Sequence, residues 1–163
     1  MSLVIAPWAL LTVSAMWGIS FVWMKDILDQ QDVYSFLFTR FLLASIAMII
    51  LRPSVTRGLS KNILKKGTVT GFVLGAGYIF QTLGLDNTTP AITGFVTGLY
   101  VVFVPLLSAA ILRERVSLQT WIYVALATIG LGFLSLKEWS VGLGESYVLV
   151  SAILFAIHIL LLG

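Results

Sequence analysis

Gly67 to Leu85 (GTVTGFVLGAGYIFQTLGL), the turn Asp86-Asn87-Thr88-Thr89-Pro90, Ala91 to Leu112 (AITGFVTGLYVVFVPLLSAAIL) and the closing Arg113-Glu114-Arg115 decide the fold. Two uncharged apolar segments flank a five-residue polar turn. Each is close to the ~20 residues an α-helix needs to cross a hydrocarbon core of about 30 Å. The pattern predicts a membrane hairpin. Gly71 and Gly75 on the first segment and Gly94 and Gly98 on the second are spaced four apart, so each helix is expected to offer a bare strip to a neighbour. Tyr78, Gln81, Thr82, Thr93, Thr97, Tyr100 and Ser108 lie in the same two segments and suit a lined cavity better than a lipid face.

The composition of the whole chain agrees. Its 163 residues are 59% hydrophobic and 10% charged, with a mean hydropathy of +1.03, a balance foreign to soluble domains. An all-α polytopic membrane protein, with the lipid bilayer as its solvent, follows. Cysteine is absent and histidine occurs once, which removes disulfide frameworks and argues against a metal centre; no cofactor is expected. The net charge of +3 is distributed by topology and indicates no nucleic-acid partner.

From the hairpin outward, the spans read as Met1–Met24, Val33–Leu51, the two hairpin helices, Ser117–Leu136 and Ser146–Gly163. The first lacks the basic start and small-residue cleavage site of a secretory signal and is kept as a span. Arg52, Arg57, Lys61, Lys65 and Lys66 crowd the loop Arg52–Lys66. With that loop in the cytoplasm, seven of the ten Lys and Arg residues fall on the cytoplasmic side, Lys25 and Lys137 outside and Arg40 within a span. The bias places the N-terminus in the cytoplasm. Six of the seven acids then lie in the outer connections.

Val13-Ser14-Ala15 in the first span overlays Val150-Ser151-Ala152 in the sixth, five spans later and therefore in the opposite direction. That is the arrangement of an inverted-repeat transporter. Trp17-Gly18-Ile19-Ser20-Phe21, Arg40-Phe41, Gly75 to Gln81, the run from Thr93 through Pro105 to Arg115, and Gly144-Glu145 followed by Ala152 to His158 together resemble the EamA-type drug/metabolite transporters. The resemblance implies ten helices in two inverted five-helix repeats, with a substrate cavity between the halves and cytoplasmic termini. On it, residues 1–136 form a first five-helix repeat and 137–163 the connection and first helix of a second, truncated one. A fragment, or two copies that assemble as a homodimer, are the alternatives.

Arg40 is the sharpest candidate for contact with a small-molecule substrate. It lies seven residues into the second span, about 10 Å along it, where an unpaired charge costs a few kcal/mol or more. A cavity cation for a carboxylate is one reading; an arginine satisfied by carbonyls or snorkelling to the interface is the other. Trp17, Tyr78, Gln81 and Tyr100 present rings and donors suited to a small amphiphile, or serve packing. Pro105 lacks an N–H and is a candidate hinge or a static kink in the fourth helix. Glu114, between two arginines, reads chiefly as a local ion pair. His158 is a substrate or proton-relay candidate, or a histidine bonded within the bundle. No Asp or Glu lies in the predicted spans, so a proton-coupling membrane carboxylate is missing from this portion. The same absence counts against a small four-helix multidrug exporter and, with one histidine and no cysteine, leaves an intramembrane hydrolase, a distant third reading, little from which to build a site. The expected function is export of small organic metabolites or drug-like solutes by alternating access across a bacterial inner membrane. The alternative is a non-transporting scaffold or a half-transporter subunit that needs a partner chain.

Overall fold

The structure, a computed structural model, describes residues 5–113, 116–135 and 142–163. Among them there is no strand. The helices are α1 (Ile5–Leu28), α2 (Val33–Leu51), α3 (Lys61–Asn87), α4 (Pro90–Gly98), α5 (Tyr100–Leu107), α6 (Leu118–Ser135) and α7 (Leu143–Leu162). A 3-10 turn at Pro53–Thr56 follows α2, and a π-helical turn at Ser108–Leu112 ends α5. Five stretches among the described residues are long and apolar enough to cross a membrane, α4, α5 and most of the π turn counting as one from Pro90 to Ile111. In no span is more than 28% of the apolar window buried inside the protein. Side chains such as Phe72, 77% exposed, and Ile50, 71% exposed, therefore face lipid or a further protein surface. The chain is a multi-pass membrane protein.

Local chemistry sets the helix starts. Asp32 caps α2, its carboxylate accepting from the N–H groups of Tyr34 (2.9 Å) and Ser35 (3.1 Å). Ser60 caps α3 through the Ile63 N–H at 3.2 Å, and Thr89 caps α4 through the Ile92 N–H at 3.3 Å, with Pro90 in the first turn. These caps move several expected boundaries. The cap at Ser60 carries α3 back through Lys61, Lys65 and Lys66, so three of the five basic residues expected in that loop belong to the helix. Helix α1 continues past Lys25-Asp26 to Leu28, and α7 begins at Leu143, before the expected Ser146. Asp26, Asp86 and Glu145 consequently belong to helix ends, and the spans are free of carboxylates only in their interiors. Glu114, its expected ion pair, and most of the connection after α6 lie outside the described residues.

The fourth span tightens at Leu99, which keeps right-handed helical backbone angles (φ −62°, ψ −13°) while its N–H turns to the Val96 carbonyl at 3.2 Å, a three-residue closure directly after Gly98. Glycine is a poor helix former because it loses the most backbone freedom. Pro105 sits inside α5 and is followed by the π turn, which ends at Arg113 in the left-handed region, φ 55°. The proline thus precedes a π distortion, and the tight turn at Leu99 lies six residues earlier.

Helix α7 lies antiparallel along α3 and also meets α4 and α5. Lys25, near the end of α1, bonds the end of α3, so α1 and α3 run in one direction and α7 runs opposite to both. The expected contact strip is corrected here. A side chain at Gly71 or Gly75 would meet nothing within 4 Å, and one at Gly94 only the Phe21 ring at ordinary distance. The close approach is made by Gly77, against the Phe155 ring, and Gly84, against Val148 and the Gly144 carbonyl. Gly144 in turn lies against the Asn87 carbonyl. Glycines seven apart fall on one stripe of a helix, and α7 uses that stripe. Phe21, Met24, Leu28, Val33, Leu37 and Leu85 form the apolar core, gathered at the end that carries the α1–α2 and α3–α4 turns.

Candidate functional site

Arg40 projects from α2 between α1 and α3. Its guanidinium carbon lies 5.3 Å from the centre of the Tyr78 ring, and Nη1 is 3.5 Å from the Met24 sulfur. Distances to a ring centre below about 6 Å place a cation in the attractive field of the ring face. The Tyr78 ring is itself held edge-on by Phe41 (5.3 Å) and Phe155 (5.2 Å), which fixes it as a floor for the cation. The guanidinium carries five N–H donors, and a thioether is a weak acceptor. No carboxylate pairs with Arg40 among the described residues. The charge is half-buried and stabilised by polarisable groups alone.

One turn along α3, Gln81 donates from Nε2 to the Thr97 hydroxyl on α4 at 3.0 Å. Both residues are buried, at 1% and 2% exposure. Thr82 and Thr93, also buried, donate to carbonyls of their own helices, Tyr78 at 2.8 Å and Thr89 at 3.0 Å. The Gln81–Thr97 bond sits two residues before the tight turn at Leu99.

The other expected site residues are scattered. Trp17 stacks on Phe21 at 6.3 Å and is 38% exposed. Tyr100 is half-buried at the first position of α5, past the tight turn from Thr97. His158 lies 3.0 Å from the Thr70 carbonyl through Nδ1; a carbonyl only accepts, so Nδ1 is the donor of this bond. Thr70 lies eight residues before Tyr78 and eleven before Gln81 on α3, roughly 12 and 16 Å along the helix, so His158 joins neither the Arg40 nor the Gln81 group. An open apolar groove of about 450 Å³ runs between α2 and α3 over Gly75 and Ile79, flanked by Phe38, Phe41 and Leu42. Its polar lining is limited to the hydroxyl groups of Tyr34 and Ser45, and it shares Phe41 with the surroundings of Arg40. Gly75 is therefore a groove floor and not a helix contact.

A second set of polar contacts ties the helices at the turn end. Lys25 Nζ donates to the carbonyls of Leu85 (2.9 Å) and Asp86 (2.6 Å), placing a cation where the α3 dipole is negative. Thr88 donates to Glu145 Oε1 at 2.6 Å, and Glu145 Oε2 accepts from the Gly142 N–H at 2.9 Å, closing the first turn of α7. Lys25 and Glu145, expected as charges of the outer connections, are instead tied to neighbouring helices, which apolar patterning does not reveal. Their signal was the position of each charge within one turn of a span boundary.

The EamA-like transporter family model matches residues 4–136. A protein of Archaeoglobus fulgidus described as an uncharacterized transporter is 30% identical over 158 residues, which is 97% of this chain and 49% of the relative. The chain thus spans about half the length of the curated relative it matches. No solved structure matches it.

Proposed function

From the premise that the chain belongs to the EamA-like transporter family, we propose that it is a carrier unit exporting small organic solutes that bear a carboxylate, by alternating access and without covalent chemistry. The observation that carries this reading is Arg40, a cation on the Tyr78 ring, well inside a span, with no carboxylate partner among the described residues. A charge in that position is expensive, and an incoming carboxylate matches the guanidinium fork and offsets the cost. Tyr78, Gln81 and, at the margins, Trp17 and Tyr100 supply the remaining surface. His158 is the one titratable imidazole available for proton movement.

The cytoplasmic N-terminus inferred from the basic loops puts the turn end of the bundle outside, in the cell membrane. The ties Lys25–Leu85/Asp86 and Thr88–Glu145 then close the outer end, and release of solute outward requires them to part. Residues 1–136 act as one repeat and the remainder opens a second, a division supported by the end of the family match at 136. The half-length match favours one companion reading: a pathway completed by a further unit, on a longer chain or in a second copy, with this portion alone a half-transporter.

Flux of labelled amino acids and cationic drugs in proteoliposomes tests the proposal, with oligomeric state measured in the same detergent. Carboxylate-dependent flux that Arg40→Gln removes is the expected result. Flux indifferent to the solute's carboxylate sinks the Arg40 assignment, and no flux from a folded monomer moves the reading to the half-transporter.

A further inference from the structure

The packing of α3 on α7 fixes a register. Gly77 meets Phe155 and Gly84 meets Val148, seven residues apart on each helix. Midway between these two contacts, at one height, fall Gln81 on α3 and Ser151 on α7. Ser151 is fully buried at 0% exposure. Its hydroxyl oxygen has no hydrogen-bond partner among the described residues. That sets it apart from Thr82 and Thr93, which spend their protons on their own helices. A buried hydroxyl without a partner is costly wherever water is excluded. At the same height the Gln81 amide, with two donors and an acceptor, uses one donor on Thr97.

We infer that Gln81, Thr97 and Ser151 form a second subsite, which takes an uncharged hydrogen-bonding group, a carboxamide or hydroxyl, of the same solute. This rests on the proposed function for the solute's other end, the carboxylate at Arg40. Three helices converge on the subsite, α3 through Gln81, α4 through Thr97 and α7 through Ser151, and the fourth span tightens at Leu99, two residues beyond Thr97. No charged side chain contributes to it, so it favours neutral groups. Tyr78, under the Arg40 guanidinium, and Gln81 are three apart on α3, and residues so spaced on a helix lie about 5–6 Å apart. The solute class is therefore a short carboxylate with a neutral polar group several atoms away.

Three probes of similar size separate the two ends: glutaramate, 5-methylhexanoate, which replaces the carboxamide with an apolar group of the same shape, and glutaramide, which replaces the carboxylate. Binding of labelled glutaramate to the purified protein in lipid nanodiscs is measured with the others as competitors. The subsite requires glutaramate to bind at least tenfold more tightly than 5-methylhexanoate. Ser151→Ala and Gln81→Leu should erase that preference while glutaramide stays a poor competitor, and Ser151→Thr should retain it. Absence of glutaramate binding, equal binding of 5-methylhexanoate, or a preference that survives in folded Ser151→Ala overturns the subsite. Glutaramide competing as well as glutaramate overturns the Arg40 reading, and the amide preference is read separately from it.

Discussion

Arg40 stands over the face of Tyr78, guanidinium carbon to ring centre 5.3 Å, and the same ring is braced edge-on by Phe41 and Phe155. The brace matters because Phe155 belongs to α7 and Phe41 to α2. One aromatic floor thereby links the cation to three helices. Motion of α7 against α3 would move that floor, which couples the binding group to the bundle.

Replacing Tyr78 with Leu removes the ring face while keeping an apolar side chain. Cation–π contacts are worth about 0.5–2 kcal/mol, so carboxylate-dependent binding should change a few-fold to some thirtyfold. Tyr78→Phe, which keeps the ring, should remain close to the wild type. Titration with a carboxylate solute compares the three, and equal affinities would remove Tyr78 from the site.

Gly84→Ala places a methyl group 2.3 Å from Val148 Cγ2 and 2.8 Å from the Gly144 carbonyl. Overpacking of this kind costs about 1–3 kcal/mol, and α3 should separate from α7. Gly71→Ala meets nothing within 4 Å and should leave stability unchanged or slightly raised through helix propensity. Thermal unfolding in detergent compares the pair.

The chain has no cysteine, so Thr88→Cys with Glu145→Cys introduces an isolated pair at the turn end. Their wild-type side chains touch at 2.6 Å. Under the proposed cycle, oxidation should cross-link them and stop flux, and reduction should restore it. Continued flux with the cross-link complete would show that this tie does not open during transport.

Asp32 supplies the pH dependence. Hydrogen bonding from Ser35, by side chain and then backbone, holds its carboxyl below the ordinary value of 3.8. A lowered folded value means the cap's stabilisation is full above that ordinary value and is lost as pH falls through the folded one. Amide exchange at the start of α2 should therefore accelerate, beyond its intrinsic pH dependence, only in strongly acidic solution. In Asp32→Ala the protection of Tyr34 and Ser35 should be missing at every pH.

Several parts of this molecule were legible in advance. Val33–Leu51 matches its expected bounds to the residue because Asp32 and Arg52 bound an apolar run whose one charge is Arg40. The ends of α1, α3 and α7 were not, since charged residues continue a helix once it leaves the hydrocarbon layer and a cap at Ser60 or Gly142 decides where it starts. Arg40, Tyr78 and Gln81 were conspicuous as polar or aromatic groups in apolar spans, and two of them meet. Ser151 was visible only as part of a repeat.

Sequence alone determined the family, the all-helical class and the number of spans within reach, because the bilayer imposes a length of apolar residues that can be counted. Which faces of those helices touch was left to the tertiary structure. Spans that are apolar on every side carry little of the periodicity that marks the inner face of a soluble helix. Gly77 and Gly84 over Gly71 and Gly75, and the height shared by Gln81 and Ser151, depend on how α3 and α7 are rotated and set in register against each other. That rotation is set by close packing between the two surfaces together.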